Sequence, residues 1–182
     1  RYCEYENYFA EFPSYITPFK HITLSINSCL YTGNVFAILM DWVDGQTLKD
    51  YLNDLNVWIP NELARHQMVY LRFVQIASEL IESEYAHGNI KLDNIIIQDD
   101  NDIKLVGYDN MYIPSLKGEQ SYFNLIGIKK SRIEEYSFLG DSEEAFHQAK
   151  LEDRVQQYDE YMDLIPLLWI TINLKFYLNK SR

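Results

Sequence analysis

Residues 87–94, His-Gly-Asn-Ile-Lys-Leu-Asp-Asn, place an imidazole, two amides, an ammonium and a carboxylate within one short stretch. The apolar run Ile95-Ile96-Ile97 follows, then the turn Asp99-Asp100-Asn101-Asp102, then Ile103-Lys104-Leu105-Val106-Gly107-Tyr108-Asp109. Two short apolar runs joined by a polar turn predict a hairpin, and polar loops at its ends can hold side chains over a cleft. The amides of Asn89 and Asn94 offer hydrogen bonding without basicity. One neutral oxygen is a poor substitute for a carboxylate on a hard cation, so any metal held here would need a further acid.

The pattern resembles the catalytic loop and metal loop of protein kinases, H-R-D-x-x-x-x-N and D-F-G. His87, Lys91 and Asn94 match in type and spacing. Asn89 stands where the catalytic aspartate belongs, and Gly107 where the metal-binding aspartate belongs. Residues 103–114, Ile-Lys-Leu-Val-Gly-Tyr-Asp-Asn-Met-Tyr-Ile-Pro, resemble more specifically a bacterial Ser/Thr kinase-like group whose segment reads Leu-Ile-Asp-Tyr-Asp-Gly-Met-Tyr/Phe-Val-Pro. That group's first aspartate is Gly107 here, its second is retained as Asp109, and its glycine is Asn110.

The resemblance implies an α+β, protein kinase-like fold with a mainly helical C-lobe and a truncated N-lobe sheet. Residues 1–41 would form the partial N-lobe and residues 42–182 a C-lobe incomplete at its C-terminal end. Asp41-Trp42-Val43-Asp44-Gly45-Gln46-Thr47-Leu48 resembles the hinge between the lobes. By that likeness Met40, Asp41, Val43 and Ile96 would border a vestigial adenine pocket. The same residues also suit an ordinary strand–turn–helix with Thr47 as N-cap. His87, Lys91 and Tyr108 take structural roles, with His87 packing under the loop and Tyr108 at the D-F-G aromatic position. Asn94 and Asp109 are the remaining candidates for a metal. Two residues along a strand, however, is a shift of ~6–7 Å from the place Gly107 occupies.

No G-x-G-x-x-G occurs in the chain, so the phosphate-covering loop is also missing from it. Losing a general base alone costs roughly 10²–10⁴ in rate. The function implied is a catalytically impaired kinase-like domain, a pseudokinase, acting as a binding or regulatory module toward another protein. No cofactor is expected, and ATP with Mg²⁺ if any. The alternative is a nucleotide-binding enzyme on a kinase-like scaffold, with residual phosphotransfer or nucleotidyl transfer. Binding of nucleotide and Mg²⁺ despite Asn89 and Gly107 would mark it.

Composition bounds these readings. The 182 residues are 47% hydrophobic with a formal net charge of −11, which suits a folded domain and opposes binding to nucleic acid or an anionic membrane surface. The basic run Lys129-Lys130-Ser131-Arg132 reads as a solvated loop or helix end. Two cysteines, Cys3 and Cys29, make no disulfide framework or metal pattern, so a reducing, cytoplasmic compartment is expected. No apolar run approaches the ~18 residues of a membrane span. The first residue is Arg1, and further residues are expected upstream of it.

The supporting elements follow from periodicity. Tyr2, Tyr5, Tyr8 and Phe9 predict an amphipathic helix over residues 1–12, stopped by Pro13. Residues 22–26 alternate like a half-buried strand that residues 28–31 could extend, and Thr32-Gly33-Asn34 reads as a turn. Residues 35–40 read as a strand buried on both faces. Residues 48–55 predict a short helix. A long, largely buried one follows from about Ile59, carrying Met68, Val69, Leu71, Phe73, Ile76, Leu80 and Ile81, with His66 structural. The acid-rich residues 117–158 predict solvated helix faces. After Asp159-Glu160-Tyr161, residues 164–174 read as a buried core helix. It resembles the central C-lobe helix, which implies an aspartate at its start anchoring the catalytic loop.

Overall fold

Pro60, which needs no amide partner in a first turn, and Glu62, favourable near the positive helix end, open the longest helix of the computed structural model. The structure describes residues 2–9, 11–29, 32–119 and 158–180. In chain order its elements are α1 (Tyr2–Tyr8), β1 (Phe19–Asn27), β2 (Thr32–Met40), β3 (Gln46–Thr47), α2 (Leu48–Asp54) and α3 (Pro60–Glu82). A 3₁₀ turn (Leu92–Asn94), β4 (Ile95–Ile97), β5 (Ile103–Leu105), a second 3₁₀ turn (Pro114–Leu116) and α4 (Leu164–Lys180) follow. The fold is α+β with small sheets: β1 and β2 pair antiparallel, and β3, β4 and β5 form a separate antiparallel sheet in that order.

The core lies where α3 meets α4 and the second sheet. Val69, Phe73, Ile76 and Leu80 of α3 are buried with Leu167, Ile170 and Leu174 of α4 and with Ile95, Ile97, Ile103 and Leu105. His66 is fully buried in this contact, as a structural residue should be. Its Nε2–H donates to Leu174 O at 2.9 Å, and Nδ1 accepts from the Tyr51 hydroxyl at 3.2 Å. Thr47 caps α2 through Oγ1, which accepts from Asp50 N at 3.0 Å. Pro166 falls in the first turn of α4, where a missing N–H leaves nothing unpaired, so it does not break the helix.

Several expectations need correction. Helix α1 ends at Tyr8, well before Pro13, and only Tyr5 on it is fully buried. Strand β1 ends at Asn27, so Ser28 and Cys29 do not extend it, and Leu30 and Tyr31 lie outside the described residues. Thr32-Gly33-Asn34 is not the turn but the start of β2, because Asn27 already pairs with Thr32. Strand β2 is not buried on both faces. Among the described residues its only sheet partner is β1, and Phe36 and Leu39 are 73% and 59% exposed. Met68, Leu71 and Ile81 are exposed, since 3.6 residues per turn carries them off the face of α3 that meets α4. Helix α4 likewise buries one face only, leaving Ile165, Leu168, Ile172 and Phe176 outside. Among the described residues no helix is long and apolar enough to cross a membrane. The basic run 129–132 and nearly all of the acidic segment 117–158 lie outside the described residues.

Candidate functional site

The hairpin forms as the residues predict: Ile95, Ile96 and Ile97 pair with Leu105, Lys104 and Ile103. Its turn is closed by Gln98 N donating to Asp102 O at 2.9 Å. Asp102 fixes the turn to neighbouring elements. Its carboxylate meets Arg72 Nε of α3 at 2.7 Å and Lys104 Nζ at 3.2 Å. Partial burial works to raise its pKa, but bonds from Arg72, the Ile103 amide and Lys104 outweigh burial and hold it below the ordinary value. On the other side Leu105 N donates to Tyr15 O at 2.7 Å.

The loop before the hairpin is bound to the segment after it by amide side chains. Asn89 Nδ2 donates to Gly107 O at 3.1 Å, Asn94 Nδ2 to Asn89 O at 2.9 Å, and Asn110 Nδ2 to Gly88 O at 3.0 Å. Val106 N donates to Asn94 O at 3.0 Å, and Ala86 and Tyr112 exchange a pair of backbone bonds. In each side-chain case the acceptor is a carbonyl oxygen, so the group facing it must be an N–H. An ionised carboxylate could only accept, and would put oxygen against oxygen.

Two glycines let these segments approach. Gly88 has φ +73, and a Cβ there would lie 2.0 Å from Asn110 O. Gly107 has φ +82, and a Cβ there would lie 2.8 Å from Asn94 Nδ2. Both sit in the left-handed region that disfavours side chains, so glycine at 107 follows from the backbone around it. The amide of Gly88 is held by Asp163, whose Oδ1 and Oδ2 lie 3.0 and 3.1 Å away. Asp163 is buried immediately before α4 and its own carbonyl accepts the first helical bond, from Leu167 N at 2.9 Å. The anchoring aspartate is thus Asp163, four residues beyond the Asp159 that opens the segment.

His87 is fully buried and packs edge-on against Tyr108, with ring centres 5.3 Å apart, and its Nδ1 accepts from Asn89 N at 3.3 Å. Tyr108 stacks on Phe19 at 5.4 Å. Its hydroxyl donates to Leu105 O and accepts from Thr17 N, and burial pushes its pKa up to about 12. Both side chains are buried in the core. Lys91 is half-buried at the entrance to the first 3₁₀ turn, where its carbonyl accepts from Asn94 N at 2.9 Å.

The two metal candidates are engaged elsewhere. Asp109 is exposed and its Oδ1 accepts from the Tyr2 hydroxyl of α1 at 2.9 Å, while the Asn94 amide faces Asn89. Among the described residues no three His, Cys, Asp or Glu side chains converge as a metal site. Of the four adenine-pocket candidates, Asp41 and Val43 line a cavity of about 330 Å³, together with Phe12, Thr17, Trp42 and Lys104. Met40 and Ile96 do not line it: Met40 ends an exposed strand, and Ile96 is half-buried in β4 between Thr47 and Lys104.

Sequence reasoning expected an anchoring aspartate without singling out Asp163, and named Asn110 without giving it a role. A signal existed for the first, since an acid immediately before an apolar helical run is a start signal. None existed for the second, whose role depends on Gly88 lying against it. No family model matches the chain, and no curated protein does either.

Proposed function

We propose that this chain is a catalytically silent protein kinase-like domain, a pseudokinase, which retains the catalytic-loop hairpin as a rigid frame and works by binding or regulating another protein. The observation that carries the reading is the set of three asparagine amides donating to Gly107 O, Asn89 O and Gly88 O. At position 89 a kinase would carry a carboxylate to orient the attacking hydroxyl, and the amide present instead bonds to the backbone of the segment that should hold metal. The element order supports the reading: helix, two-stranded ribbon, linker at 41–45, long helix, polar loop, hairpin, and an apolar helix whose preceding aspartate holds the loop. Residues 1–41 would then be a reduced N-lobe and residues 42–182 the C-lobe.

Thermal unfolding with MgATP is the test. A site with a Kd of about 50 µM would be stabilised by ~2.7 kcal/mol in a hundredfold excess of ligand. For a chain of this size that is a rise in Tm of about 5–11 °C. The expected result is no rise. A rise of that size that requires Mg²⁺ would replace this reading with that of a nucleotide-binding enzyme.

A further inference from the structure

Residues 110–112 are held from two sides. Toward the polar loop, Ala86 and Tyr112 exchange backbone bonds of 3.0 and 2.9 Å, and Asn110 Nδ2 donates to Gly88 O at 3.0 Å. The Met111 carbonyl and the Tyr112 N–H belong to one trans peptide unit, so they point in opposite directions. With the N–H on Ala86, the carbonyl must face away from the loop. There it meets two phenols: the Tyr5 hydroxyl of α1 donates to Met111 O at 2.7 Å, and the Tyr158 hydroxyl donates to the same oxygen at 2.6 Å.

The two donors come from distant parts of the chain. Tyr5 is the fully buried residue of α1 and meets Phe19 of the ribbon edge-on, with ring centres 6.5 Å apart. Tyr158 meets Tyr112 edge-on at 5.4 Å and stands shortly before Asp163, which holds the Gly88 amide. A carbonyl oxygen has two lone pairs, and these bonds use both. Losing one donor leaves the other to satisfy the oxygen. Losing both orphans a carbonyl on a fully buried residue, which costs far more than an ordinary bond.

We propose that Met111 O is a two-key latch on the polar loop. Either phenol alone keeps residues 110–112 seated against Ala86 and Gly88. The loop is released only when α1 and the segment leading into α4 both withdraw. Drawing α1 away by itself therefore leaves the loop in place, and so does loosening Tyr158 by itself. The latch rests on these bonds and not on the nucleotide reading, so the two stand or fall separately.

The test is amide hydrogen exchange of the full chain as wild type, Tyr5→Phe, Tyr158→Phe and the double variant, read at Ala86 and Tyr112. Each substitution keeps the ring and removes one donor. Each single should speed exchange at these amides by no more than ~5-fold, the worth of one ordinary bond. The double should speed it at least ~5-fold beyond the product of the singles, and contacts made by one phenol alone cancel in such a cycle. In the double, both amides should also exchange ahead of Phe73 and Ile76 in the middle of α3, which marks a local opening. Tyr5→Phe combined with Tyr51→Phe, whose hydroxyl bonds His66 instead, should show no excess. The Met111 carbonyl carbon resonance needs only the singles, and it should shift in each of them. Effects that simply multiply, a single that frees the loop as fully as the double, loop amides no faster than those of α3 in the double, the same excess with Tyr51→Phe, or a Met111 resonance unmoved in one of the singles would overturn the proposal.

Discussion

The hairpin β4–β5 and the ribbon β1–β2 are built from similar residues and meet opposite fates. Ile95, Ile97, Ile103 and Leu105 are all at 1% exposure or less, while Leu24, Phe36 and Leu39 of the ribbon keep 47–73% of their surface. The difference is not in the side chains. The hairpin has β3 along one edge, α3 beside it, and the backbone of Tyr15 and Ile16 along the other edge. The ribbon has α1 at its Phe19 end, where Tyr2 and Tyr5 meet Phe19 edge-on, and nothing comparable further out among the described residues. Apolar content makes a strand possible, but neighbours decide whether the strand is core or surface.

The largest expected effect sits at the entrance to the hairpin. Gly88→Ala forces a Cβ onto Asn110 O in a left-handed backbone, and should cost about 4 kcal/mol or prevent folding. Gly107→Asp meets the same two obstacles in milder form and should destabilise by about 2–4 kcal/mol without creating a metal site. Denaturant unfolding with and without Mg²⁺ reads both, and a stabilised, Mg²⁺-binding Gly107→Asp variant would refute the account of that glycine. Next comes the contrast itself: Ile95→Ala should cost ~2–5 kcal/mol, and Phe36→Ala should stay within ~0.5 kcal/mol. Comparable losses would show that the ribbon is covered in solution.

Asn89→Asp sharpens the comparison at the loop. It removes a donor from Gly107 O and sets a carboxylate against that oxygen, for a loss of about 1–3 kcal/mol at neutral pH. The new carboxyl's folded-state pKa should lie above its unfolded value, because only the protonated acid can donate to Gly107 O. The folded variant then holds its proton longer. The deficit against wild type should therefore be smallest in acid and grow as pH rises through that raised value. Unfolding curves across pH measure it, and a deficit independent of pH would contradict the bond. The smallest effect belongs to His66. Burial holds its pKa below the ordinary value, against the opposing bond to the Leu174 carbonyl. Its neutral form stabilises fully above about pH 6.5, and that stability is lost as pH falls from there through the lowered folded-state value. His66→Gln should flatten this slope in thermal melts, and an unchanged slope would assign it elsewhere.

Much of the second sheet and its helices was legible because local pattern and tertiary environment agree there. The 3.6-residue spacing of Val69, Phe73, Ile76 and Leu80, the Thr47 cap and the turn at 98–102 each follow from neighbouring residues. The ribbon was misread because a continuous apolar run such as residues 35–40 usually implies cover on both faces. At the candidate site the residue types themselves, amides at 89 and 94 and a glycine at 107, were visible in the sequence. What could not be read was that Asn89 and Gly107 are required where they stand: one faces a carbonyl and the other a positive φ, and both depend on segments distant in sequence. The cavity's lining was no more legible: Asp41 and Val43 reach it through the linker, whereas the places of Met40 and Ile96 depend on how the two sheets lie.

The bond from the Gly88 amide to Asp163 spans 75 residues, and that separation carries a consequence for the order of folding. Closing so long a loop is entropically unfavourable before other contacts have formed, so helix α4 must dock on α3 before the carboxylate can reach the amide. Until then the backbone at Gly88, with its left-handed angle, lacks the partner that holds it. The loop should therefore settle late, after the hairpin beside it has paired. In the native protein the Gly88 amide should exchange its hydrogen only when α4 lifts away, which makes one loop proton a gauge of helix docking.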